Sequence, residues 1–150
     1  MRALGRIFLS IIFILFGVSS AMNWDVSYTD LDAAIVNLQM YSGNFQFIGT
    51  FLDQIVNYTS VILALGIFFQ LVGGLLVFFG IRQRLGATFL SIYIISATLI
   101  YYPFWFYEGE QFTANLILFL KNLAMLGGIF LLFGGRKMYS SNYEIVNEDN

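Results

Sequence analysis

The sequence predicts an all-α fold, an integral membrane four-helix bundle built from two parallel helical-hairpin repeats. Three observations carry this expectation. Four apolar runs, at about 7–22, 59–81, 85–102 and 116–135, each approach the length of about 20 residues that a helix needs to cross a bilayer. Six of the seven basic residues flank the same ends of those runs: Arg2 and Arg6, Arg82 and Arg84, Arg136 and Lys137. The intervening polar stretches, 23–58 and 104–115, contain no Lys or Arg and hold Asp25, Asp30, Asp32, Asp53, Glu108 and Glu110 instead. That is the positive-inside pattern, with N and C termini expected on the cytoplasmic side of a bacterial inner membrane or an organelle inner membrane. The third observation is a repeat. Leu71-Val72-Gly73-Gly74-Leu75-Leu76-Val77-Phe78-Phe79-Gly80-Ile81-Arg82 aligns with Met125-Leu126-Gly127-Gly128-Ile129-Phe130-Leu131-Leu132-Phe133-Gly134-Gly135-Arg136, keeping glycines, one Phe and the final Arg in register. Phe8-Leu9-Ser10-Ile11 echoes Phe89-Leu90-Ser91-Ile92 more faintly, so the two halves read as parallel repeats about an axis along the membrane normal.

Composition narrows the chemistry. The chain has 150 residues, 59% hydrophobic and 11% charged, where a soluble domain carries about 25% charged residues. Four crossings leave no room for a separate soluble domain. A net charge of −2 with scattered basic residues argues against a nucleic-acid partner. The chain has no Cys and no His, so His-ligated haem, thiolate-held iron–sulfur clusters, structural zinc and a His acid/base relay have no side chains to rest on. No metal is expected. A redox role would need a diffusible organic carrier such as a quinone, or a cofactor on a partner.

Taken in order, the first run follows Arg2 and Arg6 and ends near Met22. Its rival reading is a signal peptide cleaved after Ser19-Ser20-Ala21, against which its apolar core is long. Residues 23–58 form an external segment in which Leu31, Ala34, Ile35 and Leu38 recur at three-to-four spacing, predicting a helix lying on the membrane surface. The second and third runs are joined by Arg82-Gln83-Arg84. Pro103 ends the third, and Tyr101-Tyr102-Pro103-Phe104-Trp105-Phe106-Tyr107 suits an aromatic interface belt or a stacking wall for a flat ligand. Trp24 and Trp105, with Arg82 and Arg84, are the expected interface anchors. Residues 138–150 form a polar tail on the cytoplasmic side.

Within the spans, Gly66, Gly73 and Gly80 fall seven apart, as do Gly127 and Gly134, and Gly74 and Gly128 adjoin them. Seven residues is two helical turns, so these positions form stripes for close helix packing. Gln70 lies about 16 Å from Ile81 at 1.5 Å per residue, near mid-membrane, where its amide needs a partner on another span or on a ligand. Lys121 sits about 7–8 Å inside Leu116, within reach of the interface by snorkelling, or positioned to pair with Asp53, Glu108 or Glu110. Intramembrane ionisable residues are functional candidates by default. Asn122 extends that polar spot, and Ser91, Thr98 and Tyr102 share a face of the third span. Gln70, Lys121, Asn122 and Tyr102 are therefore the candidate ligand-binding or buried polar residues. No catalytic set is present.

Gln70-Leu71-Val72-Gly73-Gly74-Leu75-Leu76, Gly80-Ile81-Arg82-Gln83-Arg84-Leu85-Gly86-Ala87, Phe104-Trp105 and Lys121-Asn122-Leu123-Ala124-Met125-Leu126-Gly127-Gly128 resemble the DoxX family across about residues 4–136. The resemblance implies a compact four-helix bacterial membrane protein. It also implies kinship with the DoxD-type membrane subunit of thiosulfate:quinone oxidoreductase and with accessory subunits of oxidative-stress membrane complexes. Members commonly carry Glu where Gln70 stands and His where Tyr102 stands; if those side chains move protons in relatives, this chain has lost both. The expected function is a non-catalytic subunit packing with partners of a quinone-linked redox complex, or with copies of itself, amid membrane lipids. The alternatives are a quinone- or lipid-binding oxidoreductase component, with Gln70, Lys121 and Tyr102 around one pocket, and a small transporter.

Overall fold

The computed structural model describes residues 2–41 and 55–133. Helix α1 runs Arg2–Met22, α2 Trp24–Tyr41, α3 Thr59–Phe79, α4 Gln83–Tyr101 and α5 Gly109–Phe133, with a 3-10 turn at Phe104–Phe106 between the last two. No strand occurs among the described residues. Leu4–Met22, Thr59–Phe79, Gln83–Phe106 and Gly109–Phe133 are each long and apolar enough to cross a bilayer. The expected all-α, four-span membrane bundle is therefore present.

Helix α1 packs along α3, α3 along α4, and α4 along α5, while α5 and α1 meet only sparsely. The bundle is thus a ring with one loose seam. Phe13, Val77, Ala87, Leu90, Ile94 and Ile129 form its central core. Lipid is as apolar as these side chains, so helix association rests on close van der Waals packing rather than on escape from water. Helix α3 achieves this on two sides with adjacent glycines. A Cβ on Gly73 would lie 3.0 Å from Leu90 of α4 and 3.1 Å from the Gly86 carbonyl oxygen; one on Gly74 would lie 2.9 Å from Ile14 of α1. Gly17 of α1 is equally tight, 2.7 Å from Leu71.

The α3–α4 turn needs Gly80, whose φ of 71° lies in the left-handed region. Its amide donates to the Leu76 and Val77 carbonyls at 3.1 and 3.2 Å, closing the C-terminus of α3. At the opposite end, hydrogen bonds from the Asn23 amide to Ser19 and from the Ser27 amide to Asn23 carry α1 directly into α2. Helix α2 lies over the ends of α3 and α4, burying Leu31 and Ile35 against Leu63. The apolar spacing expected for this segment is the spacing that packs, and Thr59 Oγ1 ties it down by donating to Asp32 Oδ1 at 3.3 Å.

Helix limits exceed some apolar runs. Helix α1 starts at Arg2, and α5 starts at Gly109 where apolarity begins near Leu116. The extra turns of α5 are polar but helical: Asn115 Nδ2 donates to the Gln111 carbonyl and Thr113 Oγ1 to that of Gly109. The repeat does not carry through as equivalent contacts. Gly128 meets Leu9 of α1 at 3.1 Å, but nothing lies within 4 Å of a Cβ at Gly127. Gly66 makes only ordinary contact with Tyr93, at 3.6 Å. Gly134, Arg136, Lys137, Asp53 and the 138–150 tail lie outside the described residues.

Candidate functional site

The acidic end of the bundle holds a cavity of about 410 Å³ between α2 and the end of α4. That volume falls within the range of about 300–1,000 Å³ usual for small-molecule sites. Helix α2 contributes Asp30, Ala34 and Asn37, which recur at three-to-four spacing on one face. The end of α4 and the loop beyond it contribute Tyr101, Tyr102 and Tyr107, and buried Pro103 fixes the exit of the chain. Behind this wall Tyr41 stacks on Phe106 with centroids 5.7 Å apart and planes 11° apart, and meets Tyr107 edge-on at 5.3 Å. Phe104 in turn packs against Phe112 and Phe119 of α5. The lining offers phenol and amide donors, one carboxylate, flat rings and no basic group. It suits a flat ligand with carbonyl acceptors, or one bearing positive charge.

Of the residues expected to share a pocket, only Tyr102 is here. Gln70 is buried, 3% exposed, and faces α1: its amide carbon lies 3.5 Å from a Cβ position on Gly17. No hydrogen bond reaches that amide among the described residues. Lys121 is exposed on α5 and makes no ion pair with Glu108 or Glu110, consistent with a snorkelling side chain. Asn122 turns the other way, its Nδ2 donating to Thr98 Oγ1 of α4 at 3.0 Å. Thr98 in turn donates to the Ile94 carbonyl, so this polar pair bridges α4 and α5 inside the bundle. The structure does not bring Gln70, Lys121 and Tyr102 together.

Trp24 and Trp105 are both exposed near the acidic end, and Arg82 and Arg84 are exposed at the other. Asp30, Asn37 and Gly86 escaped sequence reasoning. The first two were legible as a second stripe on α2 beside Leu31, Ile35 and Leu38. Gly86 stands alone in its helix, and no spacing marks it.

Among the described residues no group of His, Cys, Asp or Glu is arranged to hold a metal ion. The fold and site thus define a polytopic helical membrane protein with an aromatic, acid-lined cavity at one end. The sequence profile of the DoxX family matches residues 1–103, and the chain belongs to that family. The match ends at Pro103, before the 3-10 turn and α5. No curated protein and no solved structure matches the chain.

Proposed function

We propose that this DoxX-family protein is a non-catalytic membrane subunit that packs laterally against other subunits of a quinone-linked redox complex. The observation that carries this reading is the state of α5. In 25 residues it buries only Ile129 completely, and its outward face presents Ile117, Leu120, Lys121, Ala124, Gly127 and Leu131. A small-residue notch at Ala124 and Gly127 on an uncovered helix is the surface that a second helix uses to approach closely. The Arg-rich end faces the cytoplasm under the same reading, following the positive-inside rule in a bacterial inner membrane.

The chain has no native Cys, so Gly127→Cys supplies a single thiol at the notch. Crosslinking in intact membranes with a short bifunctional reagent should yield an adduct with a different polypeptide. Monomer alone, or an adduct of exactly two copies of this chain, would remove the hetero-complex reading.

A second reading, a quinone- or lipid-binding component, is favoured by the cavity around Tyr102. Photolabelling with a quinone analogue should then modify the 101–107 segment, and labelling confined to other segments would refute it.

A further inference from the structure

The opposite end of the bundle carries a second cavity, of about 250 Å³, lined by the α3–α4 turn from Gly80 to Leu85 and by Leu132 and Phe133 of α5. Four donor side chains gather there. Arg82, Gln83 and Arg84 line it directly. Arg6 reaches over from α1, its Nη1 2.7 Å from the point a Cβ on Gly80 would occupy, and Gln83 Nε2 approaches the same point at 3.2 Å. The missing side chain of Gly80 thus makes the space in which a guanidinium and an amide converge.

None of these side chains makes a hydrogen bond or ion pair among the described residues. Arg6 Nε is also sealed from solvent without a partner, which is rare for a buried donor. Among the described residues no carboxylate answers them. The acids of the described residues, Asp25, Asp30, Asp32, Glu108 and Glu110, all lie toward the other end of the helices. The turn adds backbone donors as well. Arg82 caps α4 without a side-chain hydrogen bond, and the first backbone bond into that helix is from Gly86 to Arg82. The amides of Gln83, Arg84 and Leu85 are therefore open at the cavity wall. Three guanidinium groups, a carboxamide and three amides thus converge with no anion beside them among the described residues.

We propose that this notch binds a phosphate ester, the headgroup phosphate of an anionic phospholipid, with Arg6, Arg82 and Arg84 as its charged ligands and the start of α4 as its backbone cradle. Leu132, Phe133 and the exposed Ile81 and Leu85 give the attached acyl chains an apolar path down the bundle. This site goes beyond the subunit reading and does not depend on it, because it uses neither α2 nor the outward face of α5.

The test uses the full chain purified in a neutral detergent. Thermal unfolding is followed on titration with dihexanoyl phosphatidylglycerol, dihexanoyl phosphatidylcholine or inorganic phosphate, and native mass spectrometry counts bound lipids. Phosphatidylglycerol should raise the melting temperature and remain as one retained molecule. R6Q should weaken that binding by about tenfold or more, the loss of one charge-assisted bond, and R82Q/R84Q, which removes two, by more than R6Q. R82K/R84K preserves the charge and should retain most of it, which separates ligand binding from a folding defect. A matching response to inorganic phosphate would place the source in solution and keep the phosphate site. An equal response to phosphatidylcholine, or undiminished binding in R82Q/R84Q, would overturn the proposal.

Discussion

The backbones of α3 and α4 meet where Gly86 faces Gly73: a Cβ on Gly86 would lie 2.8 Å from the Gly73 carbonyl oxygen. Val77 and Leu76 crowd the same point at 2.8 and 3.0 Å, so the obstacle is partly backbone and partly side chain held at its root. Gly86 therefore sets the separation of the two most closely packed helices.

Two effects of Gly86→Ala oppose each other. Alanine favours the helix by up to about 1 kcal/mol over glycine. The clash with a carbonyl that cannot swing aside costs about 1–3 kcal/mol. The clash should win, and Gly86→Ala should unfold at a lower temperature or denaturant concentration in detergent. An unchanged midpoint would mean that the helices separate without penalty.

The Asn122–Thr98 bridge predicts an asymmetry. In Asn122→Leu the Thr98 hydroxyl still donates to Ile94, so only one interhelical bond is lost, about 0.6 kcal/mol in comparable membrane proteins. In Thr98→Val the Asn122 amide loses its partner in an apolar setting, and a stranded group costs about 1–3 kcal/mol. Unfolding midpoints should rank wild type, Asn122→Leu, then Thr98→Val. The reverse order of the two variants would show that the amide finds another acceptor.

Lys121 makes no ion pair among the described residues and stands on the exposed face of α5. Lys121→Met should shift stability by no more than about 0.5 kcal/mol, the usual scale for surface changes. Quinone-dependent turnover of any assembly containing the chain should also persist in this variant. Abolished turnover would restore Lys121 to a site that the separation of Gln70, Tyr102 and Lys121 argues against.

The four membrane-length helices and the helical nature of α2 were legible because lipid and water impose strong local constraints. Apolar length defines the spans, cations sort to one end, and the Leu31–Ile35 spacing defines the face of α2 that buries. Partner choice between equally apolar helices leaves no such trace. Gly73, Gly74 and Gly127 look alike in sequence, yet the first two are gripped by α4 and α1 while the third faces outward. The rotation of α5 about its own axis decides this, and it depends on how Asn122 and Ile129 seat against the rest of the ring. The same rotation sends Asn122 inward and Lys121 outward, although they are neighbours in the chain. Candidate residues were thus identifiable by chemistry, whereas their grouping required the helix orientations.

That rotation supplies a prediction separating the inner glycines from the outer one. Gly127 is exposed and nothing lies within 4 Å of a Cβ there, so the side chain of Gly127→Leu starts into open space. Its helix propensity rises, and the midpoint of the isolated protein should hold or increase by up to about 1 kcal/mol. A leucine side chain would, however, fill the notch beside Ala124 and hold a second helix away from the α5 backbone. Gly127→Leu should therefore fold normally and lose the partner adduct or co-purification that the wild type shows. Gly86→Ala should do the opposite, weakening the bundle without altering the outward face of α5. If Gly127→Leu instead destabilises the isolated chain, α5 sits in another rotation and the lateral docking face must be sought elsewhere on the ring.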